Sequence, residues 1–424
     1  MTRAARRLLS SSRLLPALAA AWLACFSAYA QAVAASPSDD EHAQPAPVAD
    51  APLAIFRGEL LDLALTSASK MPLDPHIKNR SRAQEAVVDV CLQLDQPARA
   101  LAGIADIANW RRGTGYADYA LYCAQHDRAA DAQRAVELAR QVADRPADAD
   151  SQDWQRDRIR AGIARAYLAL GRADEAARFG AGVVAAEAGK LHADQAALAA
   201  ADDFDAQVAA LDALLATRDF DQSRNALEAF AQLHRRFYAD EARRALAEDR
   251  IRTHSDRLPL TLRVDLTLEL AGAALDHADK AHALQLVDTA QALVDGATWT
   301  TVDHVTLMAR LAGQRARAGD ADAARKEASA ALALFTAEKA RTVDIERAGA
   351  LRSVAEALQA LGDGPGALAV YRLAVEEGVQ NPNSRPRADD LVATCCSMAL
   401  HGVEPDKALW ERLHAIGNEL GDPW

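Results

Sequence analysis

Aromatic residues are scarce in this chain of 424 residues: they make up 5 % of it, although 50 % of the residues are hydrophobic. The core must therefore be built from aliphatic side chains, and Ala alone accounts for roughly a quarter of the sequence, well above ordinary usage. Because Ala favours helices and disfavours strands, this composition excludes an all-β protein and argues against a fold centred on a sheet.

Cysteine and positive charge are also in short supply. Five cysteines in a chain of this length are too few for a small scaffold stapled by disulfides. Asp and Glu outnumber Lys and Arg by 60 to 48, which gives a formal net charge of −12 and argues against DNA or RNA as a partner. Beyond the N-terminal segment, no apolar run reaches the length of about 20 residues that a bilayer-spanning helix needs.

Residues 1–30 have the layout of a secretory signal peptide. A basic segment with Arg3, Arg6, Arg7 and Arg13 precedes a short apolar run over 14–24, and the small-x-small triplet of residues 28–30 follows. We therefore predict an exported protein, periplasmic by default, with secretion or an outer-membrane lipoprotein as alternatives. In the lipoprotein interpretation Cys25 ends a lipobox and carries the lipid. Residues 31–52 are rich in Ala and Pro and predict a disordered linker.

Residues 53–424 repeat one pattern: an apolar helix, a break, and a second helix that opens on Ala. The clearest copies are 163–179, 307–324 and 350–374. Gly171, Gly319 and Gly362 stand at their breaks, where Gly tolerates the positive φ that ends a helix, and Asp320 and Asp363 can cap the helix that follows. Weaker copies predict breaks near these residues: Asp95, Asp127, Arg218, Ala278 and Val403.

These copies resemble the tetratricopeptide-repeat (TPR) superfamily. Its small–aromatic–Gly–Ala pattern falls on Ala164, Tyr167, Gly171 and Ala176, and again on Ala355, Gly362, Ala367, Tyr371 and Ala374. The breaks of the C-terminal half lie about 41–43 residues apart, a longer period than the family's about 34. The resemblance implies an all-α, right-handed α-solenoid of roughly eight TPR-like helix pairs. It also implies that Arg165, Arg352 and Glu356 line the concave face.

The cysteines leave two interpretations open. Cys91 and Cys123 occupy the same register of consecutive units, so they either form a disulfide between neighbouring helices or lie apart in the core. Cys395 and Cys396 are expected in the core as well, at the far end of a linear array and out of reach of the first pair.

Motifs that carry chemistry are few. None of the 11 histidines has the spacing of a zinc site, and His277 and His282, five residues apart, do not share a helix face. No catalytic Ser motif occurs, and Gly362 to Gly366 lacks the strand that precedes a phosphate loop. We therefore predict no metal, no cofactor and no enzyme activity.

An aromatic and basic patch at Trp110 and Tyr116 is the remaining candidate for binding, because Trp, Tyr and Arg dominate binding hot spots. The alternative is that these aromatics belong to the core. The leading hypothesis is a non-enzymatic scaffold that binds a protein or peptide on the concave face of the array, in the bacterial cell envelope. The alternative is a helical enzyme that acts on carbohydrate or peptidoglycan through paired carboxylates. A spacer without a ligand is a third option.

Overall fold

The computed structural model describes residues 48–145 and 152–424, and these contain nineteen α-helices and three short 3₁₀ helices but no β-strand. The first helices are α1 Ile55–Lys70, α2 Leu73–Gln93, α3 Pro97–Ala105, α4 Arg111–Gln125, α5 Ala129–Ala143, α6 Asp153–Ala169, α7 Ala173–Gly180, α8 Ala185–Ala197, α9 Phe204–Ala216 and α10 Phe220–Arg236. They are followed by α11 Glu241–His254, α12 Leu260–Asp276, α13 Lys280–Asp295, α14 Thr301–Ala318, α15 Ala321–Glu338, α16 Asp344–Ala360, α17 Gly364–Gly378, α18 Ser384–His401 and α19 Lys407–Glu419. The all-α prediction is confirmed.

The predicted breaks between helices are present in the backbone. Gly171, Gly319 and Gly362 have positive φ, as the end of a helix at a glycine requires. The four predicted breaks without glycine also have positive φ, between 54° and 60°: Asp95, Asp127, Arg218 and Ala278. The last break is at Gly402, one residue before the predicted Val403. The sequence pattern therefore located these turns to within one residue.

The predicted helix caps are also confirmed. The Asp320 carboxylate accepts a hydrogen bond from the Ala323 backbone N–H at 3.3 Å, at the start of α15. The Asp363 carboxylate accepts one from the Gly366 N–H at 3.0 Å, at the start of α17. Each cap satisfies a backbone donor that the first turn of a helix leaves free, and so fixes where the second helix of the pair begins.

Nine alternate helices form a closed circuit of contacts. They are α2, α4, α6, α8, α10, α12, α14, α16 and α18; each contacts the next, and α18 contacts α2. We call them the inner helices, because two large cavities are lined by them alone. Most of the remaining helices pack against the inner helix that precedes or follows them in the chain. An apolar stripe on α6 is part of the core, with Ile159, Ile163 and Tyr167 all buried.

The two ends of the helical array are in contact. Helix α1 packs along α18, and it also contacts α2 and α19. The Arg57 guanidinium on α1 donates to the Leu400 carbonyl at 3.5 Å, and the Lys70 ammonium donates to the Gly417 carbonyl at 2.6 Å. The expectation of a linear array with distant ends is therefore wrong, because the apolar face of α1 is buried against the last inner helix.

The cysteines lie in the core, as expected for Cys395 and Cys396, but the expected separation of the two pairs is wrong. Cys91, Cys123, Cys395 and Cys396 are all buried free thiols. Cys91 on α2 and Cys396 on α18 lie close enough that, after burial, Cys396 is a further cause that raises the pKa of Cys91. Burial alone accounts for most of the rise in the pKa of Cys123 to about 11. One cysteine of each pair, Cys91 and Cys396, therefore lies near the other where the circuit closes, although we expected the pairs to be far apart.

The predicted signal peptide over 1–30, with the alternative lipid site at Cys25, lies outside the described residues. Of the predicted linker, only its end is described, and it is attached to the helical domain. The Ala51 N–H donates to the Asp95 carbonyl at 2.9 Å, and the Asp50 carboxylate accepts from the Ala98 N–H at 2.7 Å. Among residues 48–145 and 152–424, no helix combines the length and apolar character needed to cross a bilayer.

Candidate binding cavity

A polar cavity of about 420 Å³ opens among five inner helices. Glycines bring these helices together: a Cβ on Gly162 of α6 would lie 2.8 Å from the Ala117 Cβ of α4, and a Cβ on Gly189 of α8 would lie 2.6 Å from the Asn225 Oδ1 of α10. A larger residue at Gly162 would push α4 and α6 apart, and one at Gly189 would require the Asn225 side chain to move, so both glycines permit close packing at the cavity wall. Charged side chains of both signs line it: Glu85, Asp89, Asp118, Arg158, Arg165, Glu187, Lys190, Arg224 and Glu228.

Arg165, which the resemblance placed on the concave face, lies in the wall of this cavity. Its guanidinium lies 2.6 Å from the Asp194 carboxylate of α8 and 3.6 Å from the Asp118 carboxylate of α4. Its side chain is only 15 % exposed. Arg165 on α6 therefore connects α4 and α8, and its charge is shared between their two carboxylates, Asp118 and Asp194.

Two carboxyl groups of the cavity are shifted toward their neutral forms. Burial, followed by the charges of Asp118 and Glu85, raises the pKa of Asp89 to about 7 against the opposing effects of Lys190 and Arg165. Burial also raises the pKa of Asp118, while Arg165 and Lys190 lower it. Asp89 is therefore partly protonated at neutral pH, and it can either donate a hydrogen bond or accept one from a ligand.

The opposite charges of the cavity complement one another without all being paired. Arg158 pairs with Glu187 at 2.6 Å, so this part of the wall is neutralised within the protein. Lys190 makes no salt bridge within the described part of the chain, and it faces Asp89 and Asp118. Burial raises the pKa of Glu228 at the other end of the cavity. The cavity thus presents one free ammonium group and several carboxyl groups to whatever enters it.

A second, smaller cavity of about 170 Å³ is lined by Trp110. The Trp110 ring packs edge-on against Trp154, with centroids 5.1 Å apart and an interplanar angle of 83°, and the Arg111 guanidinium lies 4.8 Å from its centroid. Tyr116 does not join this patch, because it is 7 % exposed and belongs to the core. Of the predicted patch of Trp110 and Tyr116, only Trp110 is therefore partly exposed at the surface.

Glu356 lies at a third cavity, of about 420 Å³, which α12, α14, α16 and α18 line. Its carboxylate accepts a hydrogen bond from the Ser397 hydroxyl at 2.6 Å, and Ser397 is 2.7 Å from the buried Tyr371 hydroxyl. Arg352 pairs with Asp390 at 3.0 Å and does not line this cavity. The structure therefore places Arg165, Trp110 and Glu356 at three different cavities, and it places Tyr116 and Arg352 at none of these three.

Asp89, Asp118 and Lys190 are functional candidates that we did not predict from the sequence. A signal for them exists: Asp89 and Asp118 are 29 residues apart, and the same separation joins the hydrogen-bonded pairs Glu85 with Thr114 and Arg165 with Asp194. This offset marks facing positions on α2 and α4, and again on α6 and α8. We did not recognise this 29-residue separation because the period predicted from the C-terminal half is longer.

A cluster of two histidines and one carboxylate is a second feature without a sequence signal. It consists of His234 on α10, Glu248 on α11 and His282 on α13, with the three ligand atoms within 4.8 Å of one another. The prediction that no histidine belongs to a metal constellation rested on spacing along single helices. Residues 14 and 34 positions apart meet here only because three helices pack together.

Comparison with known proteins adds no name to this arrangement. No family model matches the chain, and no curated protein matches it significantly. The geometry of the cavities is therefore what indicates a function for this protein.

Proposed function

We propose that this protein is a non-enzymatic binding scaffold of the bacterial cell envelope, and that a segment of a protein or peptide binds along the inner helices. In this proposal the helices form a right-handed solenoid of TPR-like pairs behind a cleaved signal peptide, and the concave face is the interior of the closed circuit. The observation that supports it most is the cavity itself, whose lining comes from five successive inner helices and offers both signs of charge.

The chemistry of the cavity indicates which groups a ligand would bring. Lys190 would bind a carboxylate, such as an acidic side chain or a chain terminus, since its ammonium has no partner in the described residues. Asp89 and Glu228 would accept from an amine or guanidinium, and binding a cation there would favour their ionised forms. A peptide that carries both kinds of group fits this arrangement better than an apolar segment does.

Site-specific photocross-linking in intact cells tests the scaffold proposal. A photoreactive amino acid at Ala186, in the cavity wall, should yield discrete cross-linked partners that the same amino acid at Lys326, exposed on α15, does not yield. Lys190→Glu should abolish those cross-links because it reverses the free positive charge, whereas Lys326→Glu should leave them unchanged. Cross-links that are equal from both positions, or that survive Lys190→Glu, would contradict the proposal.

The enzyme alternative rests on Asp89 and Asp118. An acid whose pKa is raised to about 7 is suited to proton transfer near neutral pH, and a second carboxyl group lies beside it. No aromatic side chain lines this cavity in the described part of the chain, so a sugar would lack the usual stacking surface. Release of soluble fragments from purified peptidoglycan, lost in Asp89→Asn and retained in Asp322→Asn, would decide for the enzyme; no release from wild type would exclude this substrate.

A further inference from the structure

Three helices converge on one carboxylate oxygen at the cluster of His234, Glu248 and His282. The Oε1 atom of Glu248 lies 2.8 Å from the Nε2 atom of His234 and 2.8 Å from the Nε2 atom of His282. The His234 side chain is fully buried, whereas those of Glu248 and His282 are 26 % and 22 % exposed. One side of the cluster is therefore anchored in the core and the other side reaches solvent.

The surrounding residues hold the two imidazoles in place. The ring of Tyr238 packs edge-on against His234, with centroids 5.2 Å apart, and its hydroxyl donates to Asp279 at 3.0 Å. The Asp279 carboxylate also accepts from the backbone N–H of His282 at 3.0 Å, which fixes the first turn of α13. Groups other than Glu248 therefore also constrain the two histidines: Tyr238 packs against the ring of His234, and Asp279 holds the backbone of His282.

The donor set matches a borderline divalent metal ion. Two imidazole nitrogens and one carboxylate oxygen are the ligands that zinc takes in sites with three protein ligands, where water or substrate holds the fourth position. Zinc–nitrogen bonds of about 2.0–2.1 Å place tetrahedral ligand atoms about 3.3 Å apart. The histidine nitrogens would therefore need to separate from Glu248 by about 0.5 Å, and the two nitrogens, which lie within 4.8 Å of each other, would need to come to about 3.3 Å, which side-chain rotations can supply.

The outer nitrogen of one histidine already has the partner that such a ligand uses. The Nδ1 atom of His282 lies 3.5 Å from the Oε1 atom of Gln285, so an Nδ1–H tautomer would leave Nε2 free to bind a metal ion. The Nδ1 atom of His234 is buried and makes no hydrogen bond within the described residues.

We propose that His234, Glu248 and His282 bind a divalent transition metal ion of the zinc class, with three protein ligands and a fourth position that faces solvent. This site lies on α10, α11 and α13 and shares no residue with the cavity of Asp89 and Lys190, so it stands independently of the proposed function.

Zinc titration of the purified full chain, freed of its affinity tag and treated with a chelator, tests the site. In competition with a chromophoric chelator, wild type should bind one equivalent of Zn²⁺. His282→Ala and Glu248→Gln should bind it at least about tenfold more weakly, because each removes one of the three ligands. His414→Ala, which removes an exposed histidine on α19, should bind as wild type does. No binding by wild type, or equal binding by all four proteins, would overturn the proposal.

Cobalt provides a readout that a purely structural role would not give. Co²⁺ in a site with histidine and carboxylate ligands absorbs in the visible range, and this absorption should appear with wild type and with His414→Ala but not with His282→Ala. Far-ultraviolet circular dichroism must show that the variants are folded; the substitutions at the two part-exposed ligands are chosen for that reason. A folded His282→Ala variant that keeps the absorption would place the metal elsewhere and overturn the assignment.

Discussion

Asp89 carries the sharpest prediction about stability. Asp89→Asn should stabilise the protein above neutral pH and should leave its stability unchanged below about pH 4. Burial raises the pKa of Asp89 from 3.8 to about 7, so between these values the folded protein holds a proton that the unfolded chain has lost. The free energy of unfolding therefore falls as pH rises through this window, and above it the wild-type protein carries an ionised carboxylate that the cavity wall disfavours.

The magnitude follows from the same change. A rise in pKa from 3.8 to about 7 corresponds to at most about 4 kcal/mol, at 1.36 kcal/mol for each pH unit. Asp89 also contacts solvent within the cavity, and water screens its charge. We therefore expect Asp89→Asn to raise the free energy of unfolding by about 1–2 kcal/mol at about pH 8.

Urea unfolding followed by circular dichroism, repeated at several pH values, measures this difference. The control is Asp322→Asn, the same substitution at a carboxylate whose side chain is fully exposed on α15; its effect should not change with pH by more than about 0.5 kcal/mol. If the difference between Asp89→Asn and wild type is the same at about pH 8 and about pH 4, the cavity does not penalise the charge of Asp89 and the reasoning is refuted.

Three further predictions concern packing and turns. Gly162→Ala should lower the free energy of unfolding by about 1–3 kcal/mol, because the new Cβ would lie 2.8 Å from that of Ala117. Gly313→Ala should raise it by about 0.5–1 kcal/mol through helix propensity, since no atom lies within 4 Å of the new Cβ. Thermal melts of the two variants distinguish crowding from helix propensity. Tyr371→Phe should lower the free energy of unfolding by about 1 kcal/mol, since it removes the buried hydrogen bond to Ser397. An unchanged midpoint of urea unfolding would contradict this. Arg218→Gly should stabilise the protein by up to about 1 kcal/mol, since Arg218 is exposed and has a φ of 60°; a lower melting temperature would show that the side chain makes a contact that matters.

Local structure was predictable from this sequence because turns and caps depend on single residues. The positive φ of Gly319 and the cap of Asp320 follow from the backbone preferences of Gly and the side-chain acceptor of Asp. The positive φ of Asp95 and Ala278 was predictable only from the register of the repeat, since neither residue prefers that conformation strongly.

The sites were not predictable to the same degree, because they depend on which helices meet. Asp89 and Asp118 become a pair only when α2 and α4 line the same cavity, and His234, Glu248 and His282 meet only where three helices converge. The contact between α1 and α18 likewise depends on the total curvature of the array. Small rotations between successive pairs add up to that curvature, and no single residue encodes them.

The contact between α1 and α18 has a consequence for how this protein loses its structure. In an open array the outermost units each lack one neighbour, and melting can begin there and spread inward. Here every inner helix has an inner neighbour on both sides, so none of the nine inner helices is terminal in the circuit. An inner helix can leave the circuit only by losing its contacts with two inner neighbours. The closed circuit therefore couples the unfolding of its inner helices to one another. It also constrains the width of the interior, whereas an open array could change its curvature when a ligand binds.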